Sequence, residues 1–552
     1  MRLKTVSVLK KVFLDESIYE KAEFTRGSCL MNECYHYEVL FDIETLVNYK
    51  VAARVKVVSP IADFVTVKRL NHVPVQMPAF GTRKDEWYLR TKPGLFPDIL
   101  EDIDFDAPMP LTNTLQTLYV EINPDGKVKA GEYPVRIEFY DFNNSEKLLA
   151  ASDFTIEIID AFLPEQDIIC DQWFYCDCLQ DYYETEMFDE KHWQIIENFM
   201  KPMVKRGLNM ILTPLFTPPL DTYIGGERTT AQLIDVTVTD GKYTFGFDKL
   251  RRWVELCNKV GFKYFEIAHF FTQWGAKCCP KVMATVDGEY KKIFGWETGA
   301  TSKEYAEFLQ TFVSQFLDFM KSMDGADKRC FFHISDEPHI DHLEDYAAAK
   351  AIVKEYLKDY KIMDAMSSYE LYSKGAVDMP VPGCNHLEPF LENNVPGLWT
   401  YYCCSQCEEV SNRFIAMPLS RTRMMGTQMW KYNIEGFLHW GYNYYNNQYS
   451  YGKINPFMCT DGDYFGQGGD AFSVYPGRGG MPIESVRLVA FHEAIQDNRA
   501  LKLCESLIGK EKTLELLGDG KDMTFKVYPR EENYLLNMRE RVNKAIKEAL
   551  GK

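Results

Sequence analysis

The stretch CFFHISDE, residues 330–337, decides the fold, because it reads as a buried β-strand that ends in two carboxylates. Helical stretches with apolar spacings of three and four flank it at 304–323 and 343–359. Similar strand candidates recur, and helical stretches separate most of them. The other seven are IICDQWFY (168–175), LNMILTPLF (208–216), KYFEIAHFF (263–271), IMDAMSSY (362–369), VDMPVP (377–382), LWTYYCC (398–404) and FLHWGYNYY (437–445).

Alternating strands and helices predict a parallel sheet, and eight such units predict a closed (β/α)8-type barrel. The helices between strands five, six and seven look short, so an incomplete or distorted barrel is the alternative prediction there. Helical stretches at 192–207 and 247–261 fill earlier connections. The sequence therefore predicts a multidomain β plus α/β protein with a barrel over residues 165–508.

Residues 1–160 have a different pattern, in which short alternating or β-branched runs are separated by turn residues. This pattern is typical of a β-sandwich. The runs are HYEVLFDI (36–43), YKVAARVKVVS (49–59), LQTLYVEI (115–122), YPVRIEFYDF (133–142) and SDFTIEII (152–159). A third segment, 509–552, contains TFKVYPREENY (524–534) and a charged amphipathic helix ending at Leu550, which together predict a small strand and helix cap.

Charge and composition exclude several classes of partner. The net charge of -18 repels phosphate backbones and anionic lipid surfaces. No run of 18 apolar residues occurs, so membrane insertion is not expected, and the N-terminus lacks the apolar core of a signal peptide. The fifteen cysteines are irregularly spaced, which indicates reduced thiols and a cytoplasmic location. The oligomeric state stays open.

The chemistry is expected at the C-terminal ends of the barrel strands. Strand four ends with Asp336, Glu337 and Pro338. Where a strand gives way to a loop, consecutive side chains can both turn toward the mouth of the barrel. Two nearby carboxylates raise each other's pKa, which suits one protonated acid beside one anion. A solvated acidic loop is the alternative interpretation of the same dipeptide.

Aromatic residues accompany most of the other strand ends. Each one alone is more often core packing than a ligand contact, but together they predict a sugar-binding pocket with stacking faces and a few polar tips. The loop from Thr272 to Thr301 is long for such a connection, and its tryptophans are candidates to cover the mouth. The candidate residues are Trp173, His269, Trp274, Tyr369, Trp399, Tyr401, Trp440 and Tyr442.

Metal and cofactor motifs are not convincing. Cys404-Ser-Gln-Cys407 has no second pair at zinc-finger spacing. No glycine-rich phosphate loop and no GxSxG nucleophile motif occurs. We therefore predict neither a metal nor a cofactor.

Several separated motifs resemble glycoside hydrolase family 123, the bacterial β-N-acetylgalactosaminidases, in the order in which that family has them. The likeness covers roughly residues 1–510. The motifs are SDEP (335–338), DQWFYCD (171–177), HFFTQWGAK (269–277), GLWTYYCC (397–404), GFLHWGYNYYN (436–446) and GDAFSVYPG (469–477).

The resemblance implies removal of a terminal β-linked N-acetylgalactosamine from a glycan or glycolipid. The sugar's own 2-acetamido oxygen would attack C1 and give an oxazolinium intermediate, which makes the first step intramolecular. Asp336 would orient the acetamido N–H, and Glu337 would be the acid and then the base. The remaining assignments are Tyr401 or Tyr369 as donor to the acetamido oxygen, Trp399 and Trp440 as stacking residues, Asp470 as a ligand of sugar hydroxyls, and His269 and Trp274 as the frame of the subsite.

Two alternatives remain open at this point. Glu408 or Glu409, soon after strand seven, could act as a protein nucleophile in an ordinary retaining glycosidase. The second alternative is a glycan-binding protein without catalysis. The sequence alone also does not separate the galacto from the gluco configuration.

Overall fold

In this computed structural model, the described residues are 1–44, 51–531 and 533–551. They form two compact units that alternate along the chain. The first unit contains 1–166, 408–431 and 483–552, and the second contains 167–407 and 432–482. The chain is a mixed β and α/β protein. The division into domains 1–160, 165–508 and 509–552 stays a prediction.

The N-terminal region is rich in β-sheet and contains two five-stranded sheets, in the orders β1-β3-β8-β5-β6 and β2-β10-β9-β4-β7. All pairs are antiparallel except β2 with β10. The strands are β1 (Arg2–Val6), β2 (Arg26–Leu30), β3 (Tyr35–Asp42), β4 (Ala52–Val58), β5 (Val65–Val75), β6 (Gly94–Asp102), β7 (Met109–Pro110), β8 (Gln116–Ile122), β9 (Gly131–Asp141) and β10 (Asn144–Ile159).

The inner faces of these two sheets share one apolar core. Tyr37 in β3 stacks on Phe154 in β10, with ring centroids 4.1 Å apart. Phe41 in β3 approaches Phe139 in β9 at 5.1 Å. Both contacts join one sheet to the other, which is the packing that the predicted β-sandwich requires. Part of the predicted strand 49–59, residues 49 and 50, lies outside the described residues.

The rest of the chain adds fourteen short strands to the described structure. They are β11 (Ile169–Gln172), β12 (Met210–Thr213), β13 (Asp235–Thr239), β14 (Lys242–Gly246), β15 (Tyr264–Ile267), β16 (Val282–Val286), β17 (Glu289–Phe294), β18 (Cys330–Phe332), β19 (Lys361–Met366), β20 (Met379–Pro382), β21 (Trp399–Tyr401), β22 (Gly436–His439), β23 (Val474–Pro476) and β24 (Pro482–Glu484).

Each of the eight stretches predicted as barrel strands overlaps one parallel strand. Five of them form the sheet β12-β15-β18-β19-β20, and three form the sheet β11-β22-β21. A parallel bridge between Gly383 and Tyr401 connects the end of β20 to β21. On the other side, the backbone N–H of Asn209 donates to Cys170 of β11, 3.1 Å away. Closure into a complete barrel stays a prediction.

Helices connect these strands as the apolar spacing predicts. In α4, Phe308, Phe312 and Phe316 recur every four residues and are buried, and Ser302 caps the helix by accepting from Tyr305 N. The two helices between β19 and β21 have only five residues each, in line with the short connections expected there. The helices are α1 (Cys176–Tyr183), α2 (Glu190–Lys205), α3 (Asp248–Val260), α4 (Lys303–Ser322), α5 (Leu343–Leu357), α6 (Tyr369–Ser373) and α7 (Glu388–Glu392).

Four later helices pack in the same unit as the N-terminal sheets. They are α8 (Leu419–Lys431), α9 (Val486–Ile508), α10 (Lys510–Glu515) and α11 (Tyr534–Ala549). A Cβ at Gly426 of α8 would lie 1.8 Å from the carbonyl oxygen of Ala494 in α9, so only glycine allows this helix contact. No helix in the described part of the chain combines the length and apolar character needed to cross a bilayer.

The C-terminal segment differs from the prediction in one respect. Residues 524–531 form no strand. The Thr524 side chain accepts from the backbone N–H groups of Lys526 and Val527, and Thr524 N donates to Val527 O at 2.7 Å. This local turn uses the backbone groups that a strand would need. The amphipathic helix α11 follows as expected.

Candidate active site

The two adjacent carboxylates line one cavity in the second unit. Strand β18 ends at Phe332, and the chain continues without regular structure through Glu337. Glu337 has a left-handed backbone with φ of 43°. This conformation costs a non-glycine residue about 1 kcal/mol or more and is retained mostly at functional sites. It interrupts the alternation of a strand, so that two consecutive side chains reach the same space.

Glu337 has an exposed side chain that is held by a tyrosine. The Tyr401 hydroxyl, at the end of β21, donates to Glu337 Oε1 across 2.8 Å. Burial and the neighbouring Glu337 charge raise the pKa of Tyr401 well above its usual value. The phenol therefore keeps its proton and remains a donor to the carboxylate.

Asp336 is partly buried, and its backbone carbonyl is held by the loop that follows the neighbouring strand β15. Trp274 N donates to Asp336 O at 2.9 Å. Burial, and then the charges of Glu337 and Asp221, raise the pKa of Asp336 well above its usual range. In the cavity without substrate, these effects favour a proton on Asp336.

Asp221 is a third carboxylate in the cavity, and the sequence analysis missed it. It follows β12 by eight residues, in a loop, where no strand-end pattern marks it. Its carboxylate lies 3.4 Å from the Tyr175 hydroxyl, which can donate to it. Burial raises the pKa of Asp221 to about 6, although the nearby Arg228 charge opposes the shift.

We expect Asp221→Asn to stabilise the protein at neutral pH. A carboxyl whose pKa is higher in the folded than in the unfolded chain lowers stability as pH rises from about 4 to about 6, because the folded state must release a proton that it binds more tightly. The variant should therefore unfold at a higher temperature than wild type at pH 7.5, and at nearly the same temperature below pH 4. Equal differences at both pH values would contradict this pKa.

A buried polar row supports the base of the cavity. Trp173, directly after β11, donates from Nε1 to Glu266 Oε1 at 2.6 Å. Glu266 also pairs with His333 Nε2 at 2.7 Å, and His333 Nδ1 lies 3.5 Å from Asp364. Burial disfavours the charge on His333, but the two carboxylates outweigh it and raise the pKa of His333 to about 10. The Trp173 ring is thus held by a buried ion pair.

His269 lies beside this row. Ligand atoms of His269, His333 and Asp364 are within 4.8 Å of one another, and among the described residues this is the one group whose spacing would allow a metal ion. The rings of His269 and His333 are stacked, with centroids 4.2 Å apart and planes inclined by 26°. Imidazole lone pairs lie in the ring plane, so two nearly parallel rings do not converge on one ion. The protonated His333 offers no lone pair either. These residues do not fit a metal, and the absence of metal and cofactor stays a prediction.

Four of the predicted substrate-binding residues line the cavity with the carboxylate pair: Trp173, Trp274, Tyr401 and Trp440. Asp470 does not line it. Instead, its buried carboxylate accepts from Trp440 Nε1 at 3.0 Å, so it acts on the cavity through the Trp440 ring.

The other four predicted residues lie away from the cavity lining. Trp399 is buried against Phe331, with ring centroids 5.5 Å apart. Tyr442 is buried, and its hydroxyl donates to Phe199 O. Tyr369 packs edge-on against Phe390, and His269 is buried between Trp173 and His333.

Most of the residues that the sequence analysis missed are on loops beyond the strand ends. No period fixes the direction of a loop side chain, so only their position after a parallel strand could have marked them. Two of the missed residues, Ala365 and Leu438, lie in β19 and β22. The others are Asp221, Gln273, Cys403, Cys404, Ser405, Gln448, Tyr449 and Phe465. Glu408 and Glu409 are exposed, and neither is among the described lining residues.

Comparison with known proteins finds one matching family model. The model of the glycoside hydrolase 123 catalytic domain matches residues 173–504, which is more than half of the chain. No curated protein matches the sequence. A family 123 glycoside hydrolase from Clostridium perfringens, studied for glycolipid glycan hydrolysis, is similar over 100% of this chain and 99% of its own, with a TM-score of 0.75 and 15% identity. At that identity the likeness concerns the fold.

Two β-glucuronidases show much weaker similarity, and they carry no argument. The FMN-binding enzyme from Facaelibacterium prausnitzii L2-6 has a TM-score of 0.32 at 10% identity and covers 86% of this chain and 60% of its own. The enzyme from Bifidobacterium dentium has a TM-score of 0.31 at 10% identity, and the match covers 90% of this chain and 66% of its own. The match to the catalytic-domain model is decisive: this chain belongs to glycoside hydrolase family 123.

Proposed function

We propose that this glycosidase removes a terminal β-linked N-acetylgalactosamine from glycans or glycolipids, by substrate-assisted hydrolysis with retention of configuration. The observation that carries the proposal is that Asp336 and Glu337 line one cavity together with aromatic side chains, and that Tyr401 donates to Glu337. The description of the Clostridium perfringens relative as a glycolipid glycan hydrolase supports this class of substrate.

Substrate binding would set the protonation states of the pair. Without substrate, burial and the neighbouring charges favour a proton on Asp336. An acetamido N–H that donates to Asp336 stabilises the anionic form of that carboxyl. Asp336 would then be the anion of the pair, and Glu337 would be the residue that serves as the acid.

The reaction then follows from these positions. The acetamido oxygen bonds to C1 while the glycosidic C1–O bond breaks, and the leaving oxygen takes the proton of Glu337. Asp336 accepts the acetamido N–H and stabilises the positive oxazolinium. Water next adds to C1, the oxazolinium ring opens, and Glu337 takes the proton of that water. Two displacements at C1 retain its configuration.

The aromatic walls would bind the terminal sugar. Trp173 is buried, and its ring orientation is fixed by Glu266. Trp440 is fixed by Asp470. Such rings offer flat apolar faces to the C–H groups of a pyranose, and their orientation is set before the sugar arrives, which lowers the entropy lost on binding.

The competing mechanism uses a carboxylate of the protein as the nucleophile, and the position of Asp221 favours it. It is a cavity carboxylate outside the Asp336–Glu337 pair. A covalent glycosyl bond to Asp221 would replace the oxazolinium in that mechanism. The two mechanisms give the same product and differ in the intermediate.

We also propose that the eight parallel strands close into a (β/α)8-type barrel. The Gly383–Tyr401 bridge lies where β20 would join β21, and the Asn209–Cys170 hydrogen bond lies where β12 would join β11. These two contacts support closure at both edges of the five-stranded sheet. This closure would direct the C-terminal strand ends toward one mouth.

The proposal is tested with aryl glycosides and a thiazoline mimic of the oxazolinium. We expect hydrolysis of aryl β-N-acetylgalactosaminide, β-N-acetylgalactosamine as the first product seen by proton NMR, and competitive inhibition by the thiazoline. Turnover of a β-galactoside without the acetamido group at a comparable rate would contradict the substrate-assisted step. A covalent adduct on Asp221 after treatment with a fluorinated sugar would favour the protein nucleophile.

A further inference from the structure

Four aromatic rings form a series that begins in the cavity wall and continues outside it. Trp274 and Tyr449 line the cavity, and their ring centroids are 5.6 Å apart. Tyr449 contacts Tyr451 at 6.3 Å, and Tyr451 stacks on Tyr223 at 4.5 Å with planes inclined by 14°. Neither Tyr451 nor Tyr223 is among the cavity-lining residues. We refer to these four residues as the aromatic strip.

The strip connects the cavity wall with the solvent. Trp173, deeper in the same cavity, is 2% exposed, whereas Trp274 is 37% and Tyr451 is 67% exposed. Tyr449 and Tyr223 are half-buried. An enzyme that removes a terminal sugar binds that sugar inside, and the rest of the substrate leaves through the mouth. A strip that continues outward from the wall can therefore meet only the part of the substrate on the leaving side of the cleaved bond.

The backbone holds the strip in place under strain. Trp274, Tyr449 and Ser450 are left-handed, with φ of 58°, 56° and 58°. Strain of this kind persists where other contacts impose it. Tyr223 N donates to Tyr449 O at 3.0 Å, and the Ser450 hydroxyl donates to Asp221 O at 2.7 Å, so the loop of the strip is attached to a loop of the cavity.

The chemistry of the strip favours sugar over an acyl chain. Its outer part is a pair of parallel tyrosine rings, which combine flat apolar faces with hydroxyl tips. A pyranose needs both, for its C–H face and its hydroxyl groups. An acyl chain needs an enclosed aliphatic trench, and Ile224, the aliphatic residue next to Tyr223 in the sequence, is 76% exposed and encloses nothing.

We infer that the aromatic strip is a binding site for the neutral sugars that follow the terminal N-acetylgalactosamine. The inference rests on the proposed function and deepens it, because it makes oligosaccharides the preferred substrates over simple glycosides. Stacking at Tyr451 and Tyr223 adds affinity only when the substrate extends that far.

The test compares three substrates with wild type, Tyr451→Ala and Tyr223→Ala. The substrates are an aryl β-N-acetylgalactosaminide, a free trisaccharide of β-N-acetylgalactosamine followed by two neutral hexoses, and the same trisaccharide on a lipid. We expect each variant to lower the ratio of kcat/KM on the free trisaccharide to that on the aryl glycoside by roughly tenfold. Tyr290→Ala, at a 64% exposed tyrosine of β17, is the matched control and should leave the ratio unchanged.

An unchanged ratio in both variants would overturn the inference, and a loss seen only with the lipid-linked substrate would assign the strip to an acyl chain instead. Calorimetry separates this result from failure of the proposed function. In the Glu337→Gln background, Tyr451→Ala should weaken binding of the free trisaccharide by roughly tenfold. If wild type cleaves none of the substrates but this difference in binding is seen, the proposed function fails and the sugar site stands.

Discussion

Glu337→Gln is expected to lower kcat/KM on glycosides with poor leaving groups by about 10²–10⁴-fold, the usual contribution of general acid catalysis. Glutamine keeps the shape of the side chain but cannot give a proton to the leaving oxygen. With a dinitrophenyl leaving group, which needs no protonation, the loss should be no more than about tenfold. The measurement is kcat/KM across a series of aryl β-N-acetylgalactosaminides that differ in leaving-group acidity.

Two further variants control this experiment. Glu344→Gln makes the same substitution at an exposed glutamate in the first turn of α5 and should leave all rates unchanged. Tyr401→Phe removes the 2.8 Å hydrogen bond to Glu337 but keeps the carboxyl, so its effect should be smaller, about tenfold. Because the Glu337 side chain is exposed, the Gln variant should change the free energy of unfolding by less than about 0.5 kcal/mol. A loss that does not depend on the leaving group would remove Glu337 from the role of acid.

Asp336→Asn is expected to lower kcat/KM by about 10²–10³-fold, whatever the leaving group. Asparagine still accepts a hydrogen bond, but it carries no charge to stabilise the oxazolinium. The affinity for the thiazoline inhibitor should fall by a similar factor, since that inhibitor resembles the charged intermediate. Leaving-group independence distinguishes this variant from Glu337→Gln.

Asp221→Asn is the matched control for this second experiment, because it neutralises another carboxylate of the same cavity. It should retain most of the activity and most of the thiazoline affinity. The proposed mechanism would be contradicted if Asp221→Asn abolished turnover while Asp336→Asn retained it, and a protein nucleophile would then be the better explanation.

Apolar periodicity predicted the strands and helices well. Apolar residues at every second position mark the buried face of a strand, and a spacing of three and four residues marks the buried face of a helix. The eight parallel strands and helices α2 to α5 overlap the predicted stretches and begin at most two residues before them. The strand predicted at 524–534 was wrong for the described residues 524–531, because the Thr524 hydroxyl forms a local turn with the backbone that follows it. Alternation alone carries no information about that turn.

The site was predicted only in part, for a related reason. Trp399 and Tyr401 belong to one strand, but Trp399 begins β21 and is buried away from the cavity, whereas Tyr401 ends it and lines the cavity. Apolar patterning does not predict the exact residue at which a strand ends. Asp221 and Tyr449 lie on loops whose direction depends on distant contacts, such as that between Tyr223 N and Tyr449 O.

The alternation of the two units along the chain has a consequence for protein synthesis. One apolar core combines Leu30 and Leu70 near the beginning of the chain with Leu501 and Met538 near its end. At about 5–20 residues per second, the ribosome needs tens of seconds to release the C-terminal helices after the N-terminal sheets have emerged. During that time one apolar surface of the nascent sheets has no partner, so the cell must shield it from aggregation until those helices have emerged.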